Sequence, residues 1–277
     1  TLMTGEIFPV GADAVQGMRA CFSQTDFYDV MHAAGYEVRY YTESNYMSPD
    51  QVGMIDNLVA HKVTLNREAK TSVSKLLYKF AFFRYAPHFM KPQFVVDTAA
   101  FGQAQALTDQ PVYVPDDIQF DQDVRTRGFQ TNREKKQYVL YHLNGVHAPY
   151  QWDRNLQRAT YTDEVPYEDR RYEQALGQLQ ILKDVISQLK QAGVYDRTTL
   201  IFTADHGHQN RFNPVFMVKP AHGDRDFALS QAPISMAEDY IPFLEDLAQG
   251  RGDQARLYQI PEDLERERYV YMFYSNG

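Results

Sequence analysis

The sequence predicts an α/β fold, a mainly parallel central sheet with helices on both faces. Three observations carry this reading. Leu200, Ile201 and Phe202 form a short apolar run with β-branched Thr198, Thr199 and Thr203 around it, the composition of a buried strand. The run stops at Asp205, His206, Gly207 and His208, and ligands in open α/β sheets collect at such carboxyl ends. Residues 168–192 keep a helical stripe through Tyr172, Ala175, Leu179, Leu182, Ile186 and Leu189, which Gly193 ends just before that strand. A helix feeding a strand is one half of a β-α-β crossover.

The other elements follow in chain order. Residues 26–34 read as an amphipathic helix with Phe27, Val30, Met31 and Ala34 on one face, Thr25 as N-cap and Gly35 as C-cap. Residues 36–42, YEVRYYT, alternate as a strand, and Asn45 and Tyr46 follow it as candidate cleft residues. Residues 76–89, LLYKFAFFRYAPHF, mix aromatic and basic side chains. A packed helix capping the core and broken at Pro87 is the preferred reading; a membrane-surface helix is the other. Residues 109–123 carry two prolines and Asp116, Asp117, Asp121 and Asp123, and read as a solvated acidic loop. The glycine and terminal glutamate of a calcium-binding EF-hand loop are missing. Residues 125–136 are basic, polar and expected to be exposed.

Residues 138–143, YVLYHL, read as a buried strand that runs into Asn144, Gly145, Val146, His147, Ala148, Pro149 and Tyr150. His142 falls inside the strand and is expected to be a satisfied sheet residue. His147 is presented beside the strand's end, in a loop stiffened by Pro149. After the strand at 199–203 come a strand at 214–218, a helix at 235–249 and a strand at 269–274. No repeat or low-complexity linker interrupts the chain, so one domain over 1–277 is expected, with a small C-terminal sub-region at 250–277.

Composition narrows the function. A hydrophobic share of 44% in 277 residues allows a sizeable core, and 20 Tyr and 17 Phe suit a packed sheet with stacking surfaces. A net charge of −8 argues against a general nucleic-acid binder. The single cysteine, Cys21, excludes an internal disulfide and a cysteine zinc cluster. No apolar run reaches bilayer-spanning length.

A carboxylate beside an imidazole at a strand end makes a ready pair of metal ligands. The plain alternative has Asp205 as the N-cap of a following element. The helix, the strand ending in Ala204-Asp205-His206-Gly207, the His147-Ala148-Pro149-Tyr150 loop and Leu2-Met3-Thr4-Gly5 occur here in a familiar order. In that order the chain resembles the alkaline phosphatase and sulfatase superfamily. The resemblance is closest to its membrane-anchored sulfatase-like branch of phosphoethanolamine transferases and lipoteichoic acid synthases.

The resemblance implies an alkaline-phosphatase-like fold and transfer of a phosphoryl or sulfuryl group through a covalent intermediate. Asp205 and His206 would be two ligands of a divalent metal, and His147 would face the transferred group. Asp-His, where calcium-using sulfatases typically carry Asn, points to phosphate chemistry with zinc or manganese rather than calcium. Many relatives place Glu after Asp-His-Gly; here His208 stands there. His208, Arg211 and His222 are candidate substrate contacts, His222 also a candidate ligand, and Lys219 could help neutralise an anionic substrate. The substrate would be an anionic ester: a phospholipid head group, a glycan or a sulfate ester.

The resemblance also places the nucleophile and the first acidic ligand upstream of Thr1. It implies an extracytoplasmic domain in cell-envelope or surface-glycan modification, held to the membrane only through segments outside this chain. The chain by itself is then expected to be inactive and to bind metal poorly. The alternative is a non-catalytic binding or regulatory domain of the same fold. The enzyme reading further expects His147, Asp205 and His206 to meet in one cleft.

Overall fold

Gly35, at φ +82°, ends the first pair of helices and opens the first strand, the left-handed C-terminal position that glycine fills without strain. A computed structural model of the protein describes residues 2–42, 51–58, 67–95, 116–132, 134–159, 161, 164–208, 213–223 and 227–266. Asn45, Tyr46, Arg211 and the strand expected at 269–274 lie outside these residues. The chain divides into two compact units: Thr1–Glu37, Phe129–Lys136 and Ile186–Gly277 form the first, Val38–Gly128 and Gln137–Val185 the second.

In the first unit, helix α1 (Ala14–Gln24) begins where the Asp13 carboxylate accepts from the Gln16 amide at 3.0 Å. Helix α2 (Phe27–Ala33) buries Phe27, Tyr28 and Met31, and the Tyr28 hydroxyl donates to the Met3 carbonyl at 2.9 Å. Strands β3 (Leu200–Thr203) and β4 (Phe216–Lys219) pair antiparallel, with Leu200 opposite Lys219 and Thr203 opposite Phe216. One turn of π-helix (Met236–Tyr240) leads into an α-helix, Ile241–Ala248, with proline in its first turn. Phe243 of that helix clusters with Ala255 and Leu257, and Ile201, Phe216 and Val218 pack on them. The β3–β4 pair thus rests one face on the Ile241–Ala248 helix.

The second unit holds the greater part of β1 (Tyr36–Tyr41) and of β2 (Lys136–Tyr141), which pair with each other. The other edge of β1 is closed by side chains. Asp56 accepts from the Val38 amide at 2.6 Å, and Asn57 bonds both the amide and the carbonyl of Tyr40, at 3.0 and 2.8 Å. An edge whose donors and acceptors are filled this way is no template for a stray strand. Helix α3 (Arg67–Tyr85) is followed by a 3-10 segment, His88–Phe94, that folds back so that Phe94 stacks on Phe82 at 5.2 Å. Helix α4 is Asp117–Arg127, and helix α5, Tyr167–Gln191, runs on past the second unit's last residue, Val185.

Four expectations change. Among the described residues the strands form two two-stranded sheets in place of one mainly parallel sheet. The described residues of the link from Thr203 to Phe216 hold no helix, whereas a parallel return usually crosses over through one, and β3 and β4 pair antiparallel. The acidic stretch expected as a solvated loop folds from Asp117 onward as α4. Asp116 caps it by accepting from the amides of Ile118 and Gln119 at 3.0 Å, Gly128 ends it at φ +66°, and Asp117 and Asp121 are buried. Helix α3, expected to be packed, buries only Leu76 among its described side chains. Finally, α5 buries Gln174, Gly177, Gln178 and Ile181, while Tyr172 and Leu179 of the expected stripe are exposed.

Candidate functional site

Two clusters carry the candidate chemistry: the His147 loop of the second unit and the Asp205–His206 turn of the first. The loop leaves β2 with its backbone groups unpaired by any strand, and three buried side chains take them up. The Asp117 carboxylate accepts from the amides of Asn144 and Gly145, both at 2.8 Å. Gln178 donates to Asp117 at 2.7 Å and to the Gly145 carbonyl at 3.4 Å. Gln174 donates to the carbonyls of Gly145 at 2.8 Å and His147 at 3.2 Å, and accepts from the Gln151 amide at 2.9 Å. Buried backbone groups need such partners, which is why α5 turns glutamines inward. Burial pushes the Asp117 carboxyl above the usual range, while the two loop amides and Gln178 pull it back.

The His147 ring is exposed. Its Nδ1 lies 2.5 Å from the Ala148 carbonyl, which only accepts, so Nδ1 carries the proton and Nε2 keeps its lone pair. Tyr150 closes the loop. It is buried, its hydroxyl donates to that of Tyr167 at 3.0 Å, and burial pushes it up to about 12. His142 follows β2 directly and is hydrogen-bonded through Nδ1 to the Thr42 hydroxyl at 2.8 Å, the satisfied sheet residue expected of it.

At the end of β3, the Thr203 hydroxyl donates to the Val215 carbonyl at 2.9 Å and ties the strand end to the returning chain. Asp205 Oδ1 accepts from the His206 amide at 3.0 Å, and Asp205 Oδ2 stands 3.6 Å from His206 Nε2. His206 Nδ1 donates to the Gly207 carbonyl at 2.6 Å, which turns the lone pair of Nε2 outward beside the carboxylate. The two side chains are 61% and 75% exposed, open to an ion arriving from solvent. His208 follows, half-buried.

These two residues fit a metal as a pair. Ligands each about 2.1 Å from a tetrahedral ion stand roughly 3.4 Å apart, close to the 3.6 Å seen here. Among the described residues no group of three or more His, Cys, Asp or Glu side chains is assembled to hold an ion. Asp205 and His206 therefore offer two donors, and a catalytic zinc site takes about three from the protein.

The antiparallel register separates His222 and Lys219 from this turn. The His222 amide donates to the Asp196 carbonyl at 2.5 Å, and the Ala221 amide to the Thr199 hydroxyl at 3.2 Å. Both contacts lie before the start of β3, whereas Asp205 lies past its end. Thr199 and Asp205 are six residue steps apart across β3, roughly 20 Å of extended chain. Lys219 is likewise engaged there, donating to the carbonyls of Tyr195, Asp196 and Thr198 at 2.5, 3.4 and 3.1 Å over the Tyr195 ring. Burial lowers its pKa.

Asp117, Gln174 and Gln178 were missed in the sequence. For Asp117 the signal was present: Asp116 as N-cap, arginines at 125 and 127, and Gly128 beyond them spell out a helix. For the two glutamines no local signal exists, because they answer carbonyls of a distant loop.

Strands, helices and a carboxylate–imidazole pair at a strand's carboxyl end define an α/β protein with two exposed donor side chains in one turn. The Sulfatase family model matches residues 22–215, more than half of the sequence, and the chain belongs to the Sulfatase family. The matched stretch contains Asp117, His147, Asp205, His206 and His208 and ends just before β4. No curated protein matches the chain. Membership implies the alkaline-phosphatase-like α/β fold and suggests hydrolase or transferase activity on sulfate or phosphate esters. Members of the superfamily typically use a divalent metal.

Proposed function

We propose that the chain supplies metal-binding and substrate-facing groups of a sulfatase-like enzyme that hydrolyses or transfers phosphate esters. It would belong to the membrane-anchored branch and act outside the cytoplasm in envelope or surface-glycan modification. The observation that carries the proposal is the 3.6 Å spacing of Asp205 Oδ2 and His206 Nε2 at the end of β3. One oxygen and one imidazole nitrogen favour zinc or manganese over calcium, which prefers an all-oxygen shell. The bound metal would neutralise charge on the ester oxygens and lower the pKa of a coordinated hydroxyl.

This chain's own residues would do the rest. The hydrogen bond to Gly207 holds the His206 ring with Nε2 outward. His147, its Nδ1 tied to Ala148, offers Nε2 to the transferred group or to a leaving oxygen, accepting a proton or, when protonated, giving one. The network of Asp117, Gln174 and Gln178 sets the height of that loop. His208 and Arg211 remain candidate contacts to the anionic substrate; His222, whose amide bonds the Asp196 carbonyl, is not included in this reading.

Calorimetric titration of zinc, manganese and calcium into the protein, its Asp205→Ala and His206→Ala variants, and His147→Ala tests the proposal. Each ligand variant is expected to lose at least about tenfold in zinc affinity, with His147→Ala unchanged. Where the protein turns over a phosphate monoester, His147→Ala is expected to lower that rate by about a hundredfold or more. Unchanged zinc affinity in both ligand variants would overturn the metal assignment and favour a non-catalytic binding domain.

A further inference from the structure

Helix α3 and the 3-10 segment behind it form an arm that is apolar and basic on the outside. Tyr78, Phe82, Tyr85 and Phe89 are exposed, Tyr85 by 79% and Phe89 by 80%. Tyr78, Phe82 and Tyr85, spaced i, i+4 and i+7, share one face of the helix, with Lys75 and Lys79 along its border. Between residues 69 and 95 the sequence has five basic residues, Lys70, Lys75, Lys79, Arg84 and Lys91, and no acidic one, although the chain carries −8 overall. The cations are interleaved with the rings: Lys91 lies 5.5 Å over the Phe83 ring and Arg84 5.7 Å over Tyr85.

We infer that this arm lies on the surface of an anionic lipid bilayer. Aromatic rings settle at headgroup depth, and long basic side chains reach from there to the phosphates. One aromatic face bordered by cations is the pattern of a helix lying in a lipid interface, and an excess of positive charge on an acidic chain selects an anionic partner. The arm lies on the membrane rather than through it, for no described helix is long and apolar enough to cross one. The inference is independent of the metal site, and it gives this chain a lipid contact of its own, beyond any anchor outside it.

Co-sedimentation with large vesicles tests it, using pure phosphatidylcholine and an equimolar mixture with phosphatidylglycerol. The expected result is binding to the mixture at least about tenfold tighter than to phosphatidylcholine, weakening steeply with added salt. A Lys75→Glu, Lys79→Glu, Arg84→Glu variant should lose about fivefold or more per altered charge. A Phe82→Ser, Tyr85→Ser, Phe89→Ser variant should lose binding to both vesicles, with far-ultraviolet circular dichroism confirming that each variant is folded. No binding to the mixture, or equal binding by folded variants, overturns the inference. So does a dimer in light scattering that the serine variant abolishes while lipid binding is absent, since the face would then belong to a second copy of the chain.

Discussion

Gln178 Nε2 donates to Asp117 Oδ2 at 2.7 Å and so joins the middle of α5 to the first residue of α4 beneath the His147 loop. Asp117 also accepts from two loop amides, so one buried carboxylate holds three donors. Asp117→Ala strands all three and is expected to destabilise the protein by about 2–4 kcal/mol in urea unfolding. Asp117→Asn keeps the shape but turns an amide donor toward at least one N–H group, so it should rescue only part of the loss. Full rescue by asparagine would show that the charge is irrelevant to the loop.

Gly177 sits where α5 meets the chain at Asp153–Leu156. A Cβ there would stand 2.9 Å from the Asp153 carbonyl oxygen and 3.1 Å from Leu156 Cδ2. Leu156 already holds a left-handed φ of +59° and has little room to give way. On an open helix Gly→Ala would gain up to about 1 kcal/mol. Here the backbone clash should outweigh that gain, and Gly177→Ala should lower stability by about 1–2 kcal/mol. A thermal melt at or above the parent's would show that the contact yields.

Asp121 predicts a pH effect of unusual sign. Burial, then the charge of Asp184 and the hydrogen bond shared with it, push its carboxyl up, with Arg125 opposing. A raised folded pKa means that the folded protein keeps a proton the unfolded chain has released. Stability from this group is full below the unfolded carboxylate range and is lost as pH rises through the raised value. Asp121→Asn, whose amide can still donate to Asp184, should be more stable than the parent at about pH 7 and no more stable at about pH 3. Chemical unfolding across that range reads the difference directly, and parallel curves would refute it.

Asp246 works in the opposite direction. Burial raises its carboxyl, but hydrogen bonds from the Arg256 side chain and amide and from Arg251 overcome that and hold it at about 2. Its contribution is present above the unfolded carboxylate pKa of about 3.9 and is lost as pH falls through about 2. The carboxylate side chain is 1% exposed while the two arginines are 47% and 58% exposed, so removing it leaves cations that can turn to water. Asp246→Ala should therefore cost about 2–3 kcal/mol at neutral pH, at or below the lower limit for a broken buried pair, with the difference shrinking below about pH 3. A constant difference down to pH 2 would exclude the ion pairs as its cause.

The sequence by itself determined the elements whose signals are local. β-Branched and alternating runs place β1 to β4 within about two residues, and Gly35 and Gly193 bound their helices, because these patterns depend on near neighbours alone. It also marked His147 and the Asp205–His206 turn, since each directly follows a strand segment legible in the same way. Tertiary structure alone decided which strand lies beside which. The antiparallel return of β4 carries Lys219 and His222 away from Asp205, and no residue between them announces that register. It alone decided that α5 buries Gln174 and Gln178, because their partners are backbone groups of a loop and the Asp117 carboxylate, all over twenty residues distant. It likewise left the rings of α3 exposed, where an apolar pattern implies only that something covers them. Hydrogen bonding to distant backbone and strand register are properties of the assembled chain, and a local pattern does not encode them.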